Sequence, residues 1–223
     1  MRDFSSALYL GMHHSSADLG SWTALTSGRP AALEASRQSR MVCQALAQLQ
    51  GAEAAVLLPS TLHLFRDLFG MLASDALVIL VDGAAYPVAR WGADHANCLG
   101  LPLAVFPCGS GSDAAGLAGK WTRAGRRPVI LTDGIIPGTG MSPPLAQYAR
   151  IVREHEGFLI VDDTQSLGVV GPQGGGSVSA HDVQGERILI GASLAKGFGA
   201  PVACLSGSAA MIDRFNAASL TPP

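Results

Sequence analysis

A short apolar run, Ile188-Leu-Ile-Gly-Ala, leads into Ser193, Leu194, Ala195 and Lys196, and Gly197, Phe198 and Gly199 follow. Upstream, Phe158-Leu-Ile-Val ends in Asp162 and Asp163. A lysine and an aspartate at the ends of neighbouring strands suit Schiff-base chemistry. The amine condenses with an aldehyde, and the carboxylate pairs with a pyridinium nitrogen. A lysine after a strand is ordinarily a solvated loop charge. Here its neighbours are apolar or glycine, and burial that disfavours the ammonium form makes the amine a usable nucleophile. Pyridoxal phosphate is therefore the first cofactor to consider.

Other residues could serve such a group. Asp162 comes directly after an apolar run, whereas Asp163 should point to the opposite face. Ser60 and Thr61 open a helix after the first strand, and Ser193 lies just before Lys196. Hydroxyls and free N–H groups at a helix start can cradle a phosphate, or act as plain N-caps. Tyr86, four residues past Asp82, could stack on a flat ring. Gly171-Pro-Gln-Gly-Gly-Gly176 has neither G-K-[ST] nor G-x-G-x-x-G leading into a helix, so it reads as a flexible turn. The six histidines show no H-x-x-x-H pairing, and no metal site is expected.

The elements that must position these residues alternate in type. Apolar runs of strand length occur at 54–58, 77–81, 103–106, 129–131, 158–161, 188–190 and 202–205. Most are near-continuous in Val, Ile and Leu, as in strands buried on both faces. Helical stretches cover 32–49, stopped by Gly51, and 60–72 and 145–156. The pattern predicts an α/β domain with a mainly parallel seven-stranded sheet and helices on both faces. Asp82, Thr132-Asp133-Gly134, Asp162 and Ser193 all fall at strand ends, where ligands bind in open parallel sheets.

Composition narrows the partners. The 223 residues are 48% hydrophobic and 14% charged, against about a quarter charged in ordinary soluble domains. Some apolar surface should therefore be covered by something beyond this chain. Fifteen basic and 17 acidic residues give a net charge of −2 without a Lys/Arg cluster, so nucleic acid is not expected. Cys43, Cys98, Cys108 and Cys204 lack C-x-x-C spacing and read as free thiols in a reducing compartment. The start lacks a signal-peptide pattern and no run reaches membrane-span length, so a cytoplasmic protein is expected.

Together these residues resemble the α-oxoamine synthase family of fold-type I pyridoxal-phosphate enzymes. The resemblance runs from Leu8-Tyr-Leu-Gly-Met12 through Gly51-Ala-Glu-Ala-Ala55, Thr132-Asp-Gly134, Phe158–Asp163, Ser166–Pro172 and Ser193–Gly199. It implies that Lys196 is the Schiff-base lysine and Asp162 the pyridinium partner. Ser193 and the backbone of Thr61 and Leu62 would hold the phosphate. Tyr86 stands where the family has a ring-stacking histidine. Gln165 replaces the histidine that bonds the cofactor's phenolic oxygen; it can donate a hydrogen bond but cannot carry charge. Pro137-Gly-Thr-Gly140 replaces a segment whose serine approaches the cofactor.

The implied reaction joins an amino acid to an acyl-CoA, and the implied assembly is a homodimer. The layout expected is an arm over 1–30, a large domain over 31–218 and a hinge over 219–223, without the family's small C-terminal domain. An aminotransferase, or a catalytically degenerate cofactor-binding subunit, is the alternative. Ser193-x-x-Lys196 also fits the S-x-x-K of serine acyl-enzymes, but the companion S-D-N and K-T-G motifs are missing and the α/β alternation is wrong for that fold.

Overall fold

The computed structural model describes residues 8–11, 20–21 and 35–221. Seven strands form one sheet in the order β1-β7-β6-β5-β4-β2-β3. They are β1 (Ala54–Leu58), β2 (Leu77–Asp82), β3 (Leu103–Phe106), β4 (Arg127–Asp133), β5 (Phe158–Asp162), β6 (Ile188–Ser193) and β7 (Ala203–Gly207). From β3 across to β6 every pairing is parallel, while β7 runs antiparallel to both β6 and β1. All seven apolar runs are strands, and the sheet is mainly parallel as the sequence predicts.

Among the described residues seven α-helices flank it: α1 (Arg37–Gln50), α2 (Thr61–Leu72), α3 (Pro87–Cys98), α4 (Gly111–Arg123), α5 (Leu145–Glu154), α6 (Gly176–Ala180) and α7 (Ala209–Ala218). The strands read as continuous apolar runs because alternate residues feed two separate layers. Leu77, Ile79 and Val81 pack with Leu64, Phe65, Ala93 and Phe215 on one face. Val78 and Leu80 pack with Ala114, Ala118, Tyr148 and Val152 on the other. Each of the larger aliphatic and Phe side chains contributes about 1.5–3 kcal/mol on full burial.

Ser36 caps α1 by accepting from the Ser39 N–H, and Gly51 ends it at φ 68°. Ala32 and Leu33, expected to start this helix, lie outside the described residues, as does most of the expected arm. One expectation is corrected. Residues 171–176 are not a flexible turn: Pro172–Gly174 is a 3-10 turn, Leu167 bridges Gly175, and α6 follows at once. The glycine count hid a segment fixed by its own backbone hydrogen bonds and by a buried carboxylate behind it.

The pairing of α2 with α3 sets the entrance of the later site. At Gly92 an added Cβ would stand 2.7 Å from the Phe65 carbonyl oxygen, so only glycine lets the helices approach this closely. Both helices begin at the same rim of the sheet, one at Thr61 and the other just after Tyr86.

Candidate active site at the carboxyl ends of β4, β5 and β6

Parallel strands present their last residues along one rim, and there a cavity of about 220 Å³ opens. Asp133, Asp162 and Ser193 line it from the ends of β4, β5 and β6, Thr61 from the start of α2, and Tyr86 from the residue before α3. Lys196 enters from the turn after β6, with Thr164 and Gln165 opposite it in the segment after β5. That turn is folded by hydrogen bonds from the Leu194 N–H to the Val202 carbonyl and from the Phe198 N–H to the Leu194 carbonyl, 2.9 and 3.1 Å. The Ser193 N–H donates to the Thr164 hydroxyl oxygen at 2.9 Å, stitching the end of β6 to the segment after β5.

The adjacent aspartates part company. Asp162 is 4% exposed, and its Oδ1 accepts from the Thr164 N–H at 3.1 Å. Burial pushes its carboxyl up to about 6; hydrogen bonds from Thr164 oppose this, Asp163 adds to it, and Lys196 opposes it. Asp163 turns to the other side, where the Ser166 and Ser177 hydroxyls and the Ser177 N–H at the start of α6 all donate to it. Burial raises its carboxyl as well, with those donors opposing. Space for it exists because Gly134 and Gly176 lack side chains; a Cβ there would fall 2.1 and 1.9 Å from its oxygens.

Two further residues join the site that the sequence reading did not single out as ligands. Asp133 is 2% exposed; its Oδ1 accepts from the Tyr86 N–H at 3.2 Å. Its carboxyl is pushed up to about 8 by burial first and by Asp162 next. The signal was its place at a strand end, shared with Asp82. Tyr9 is the second. Its hydroxyl donates to Gln165 Oε1, its N–H donates to the Lys196 carbonyl at 3.2 Å, and its ring centre lies 6.0 Å from Lys196 Nζ. Its place inside the Leu8–Met12 landmark was the only sequence hint.

Not every expected residue comes to the cavity. Leu62 does not line it; its side chain is half exposed, and only the free N–H groups of the first turn of α2 stay available there. Ser60 precedes α2 without capping it, its hydroxyl pairing instead with His63 Nδ1 at 2.9 Å. Asp82 faces away, accepting from the Tyr148 hydroxyl, the Gly109 N–H and the Thr132 hydroxyl through one oxygen and from the Ala84 N–H through the other. A larger groove of about 720 Å³ runs along β1 between α1 and α7. Its lining includes Cys43, Ala47, Leu57 and Phe215 but lacks the lysine–carboxylate pairing of the smaller cavity.

Comparison with known proteins places the chain in a family. The chain is 32% identical over 155 residues to a putative 8-amino-7-oxononanoate synthase of Desulforudis audaxviator, covering 69% of this chain and 38% of that protein. It is 37% identical over 103 residues to the 8-amino-7-oxononanoate synthase of Marinobacter nauticus, covering 45% of this chain and 26% of that protein. These matches span less than half the length of the curated relatives. Among solved structures, serine palmitoyltransferase from S. paucimobilis with a bound PLP–myriocin adduct superposes with a TM-score of 0.74 at 18% identity, covering 84% of this chain and 48% of that one. An 8-amino-7-oxononanoate synthase from Francisella tularensis gives 0.70 at 19%, covering 84% and 55%. Residues 27–221 match the family described as aminotransferase class I and II, and to that family the chain belongs.

Proposed function

We propose that this chain forms the cofactor-binding part of a pyridoxal-phosphate enzyme that joins an amino acid to the acyl group of an acyl-CoA. The observation that carries the reading is convergence: Thr61, Tyr86, Asp162 and the Ser193–Lys196 turn come from four separate segments and line one cavity. The donor set fits the group chemically, with one amine, a buried carboxyl at a strand end, an aromatic ring, and hydroxyls beside a helix start. Pyridoxal phosphate, when bound, supplies an aldehyde for an amine and a ring that takes up electrons from an amino acid's α-carbon.

Each residue then has a definite task. Lys196 would hold the aldehyde carbon, and Asp162 the protonated pyridine nitrogen. Ser193 and the first-turn amides of Thr61 and Leu62 would hold the phosphate, and Tyr86 would cover one ring face. Gln165, whose Oε1 is occupied by the Tyr9 hydroxyl, keeps its Nε2 to donate to the ring oxygen. Lys196 is the only amine among the described lining residues, which makes it the base for a proton on the substrate's α-carbon.

Residues 31–218 act as the cofactor domain, 1–30 as an arm and 219–223 as a hinge. The protein works as a cytoplasmic homodimer. Leu62, Tyr86 and Phe198, each at or near a cavity residue in the chain, are 49%, 44% and 41% exposed, an apolar rim suited to a second copy. All four cysteines are free thiols, as a reducing compartment favours. No helix among the described residues is long and apolar enough to cross a membrane.

The test is spectroscopic. Purified protein with pyridoxal phosphate should absorb near the visible edge, and borohydride should fix the label on Lys196. Glycine, alanine or serine should shift the band, and acyl-CoA should then release free CoA. A band that persists in Lys196→Ala sinks the assignment. Amino transfer to an oxo acid without CoA release would support the aminotransferase reading, which Gln165 favours by lacking a histidine's proton-carrying ring. A cofactor band indifferent to every amino acid would identify a binding-only subunit.

A further inference from the structure

Asp133 stands directly opposite Asp162 in the parallel β4–β5 ladder, so the backbones that carry two buried carboxyls lie one strand spacing apart, roughly 4.8 Å, and each carboxyl feels the other. Their surroundings differ. Asp162 receives the Thr164 N–H and is supported by the Thr164 hydroxyl. Asp133 receives a single N–H, from Tyr86, through Oδ1, and its Oδ2 is buried without a partner. The charged groups whose fields reach it are Asp162 from β5, Asp82 from β2 and Lys196 from the turn after β6. One cation cannot neutralise three carboxylates. Two desolvated anions side by side are strongly unfavourable, and such pairs keep a proton on one member.

The donor count decides which member. An anionic oxygen buried without a donor is far more costly than the O–H of a neutral acid. We propose that Asp133 is held as the neutral acid of this pair, a positioning residue that fixes Tyr86 through Oδ1 and leaves Asp162 as the single anion beneath the bound ring. Oδ1 then accepts as a carbonyl and Oδ2 carries the proton. The upward displacement of Asp133, to about 8, beyond that of Asp162, to about 6, has the same order. The part of this inference that concerns a ring rests on the function proposed above; the proton on Asp133 does not.

Asp133→Asn, a neutral isostere, and Asp133→Ala separate the possibilities. In cofactor-free protein, a carboxyl whose folded pKa lies above its unfolded value of about 3.9 loses stability as pH rises between the two values. The difference in urea midpoint between Asp133→Asn and wild type should therefore grow from pH 5 to about 8 in favour of the variant, then level off. The contribution of Asp162 is common to both proteins and largely cancels. A difference that stays flat with pH overturns the proposal. With pyridoxal phosphate as the probe at pH 7, Asp133→Asn should bind within about threefold of wild type and Asp133→Ala at least tenfold more weakly. Asn as damaging as Ala would mean that Asp133 acts as an anion, and would also overturn it. If wild type fails to bind pyridoxal phosphate, the proposed function falls, while the urea series still decides the proton on Asp133.

Discussion

Two buried carboxyl groups at neighbouring strand ends are treated in opposite ways. Asp82, at the end of β2, is 1% exposed and takes four donors, from Tyr148, Thr132, Gly109 and Ala84. Asp133, at the end of the adjacent β4, is 2% exposed and takes one. The first is a finished knot that ties β2 to α5 and to the loop after β3. The second lies among groups whose hydrogen bonding is incomplete until something else arrives. Buried polar groups are normally satisfied, so the region left short of partners is the one prepared for a ligand. The same contrast separates Asp163, saturated by serines, from Asp162 beside it.

The sharpest way to break this comparison is at the knot. Asp82→Ala strands a buried phenol and leaves two part-buried backbone N–H groups without their acceptor, and should cost about 3 kcal/mol in urea unfolding. A loss below 1 kcal/mol would mean that the knot is no more structural than the rim. Tyr148→Phe removes one of its donors from the edge-on packing against Phe106 and should cost about 1–2 kcal/mol, with cofactor binding unchanged.

At the rim the sign should reverse. The Asp162 carboxyl is raised to about 6 in the folded protein, so the wild type loses stability as pH climbs from about 4 to about 6. Asp162→Asn removes that loss. Cofactor-free protein at pH 7 should then be as stable as wild type or up to about 1–2 kcal/mol more stable, while its chemistry with amino acids falls by orders of magnitude. Destabilisation by this change would place Asp162 with the structural carboxylates. The smallest effect is expected from Tyr9→Phe. The fold should be unaffected, the freed Gln165 amide should turn between its two orientations, and pyridoxal phosphate should bind a few-fold more weakly, under about 1 kcal/mol. If Gln165→Ala already removes that difference, Tyr9 acts through Gln165.

The sequence discloses the parts of the molecule whose physics is local. Seven apolar runs, too hydrophobic for a one-sided sheet, mark the strands, and Lys196 and Asp162 show themselves by following such runs. Less visible are α3, α4 and α7, whose Ala- and Gly-rich stretches give little apolar periodicity. For α4 and α7 the serine caps at Ser110 and Ser208, accepting from the Asp113 and Met211 N–H groups, are the cue that was there to use, and for α3 it is Pro87 at the first position. The role of Asp133 was hidden because it depends on what the neighbouring strand places opposite it. Tyr9 depends on a contact with Gln165 that no spacing encodes. The turn at 171–176 misled because its backbone hydrogen bonds reach Gly168 and Val170, outside the motif.

The antiparallel β7 has a consequence for how the chain is made. Among the described residues strand β1 is an edge paired with β7 alone, with Ala54 meeting Gly207. On a ribosome adding roughly 5–20 residues per second, β1 leaves the tunnel on the order of ten seconds before the strand that completes it. Through that interval its backbone edge is unpaired, an invitation to association with other nascent chains. β2, β3, β4 and β5 can meanwhile assemble among themselves. The lysine turn lies between β6 and β7 and so closes among the last steps, and refolding should show protected amides in the centre of the sheet well before the amine reaches its place.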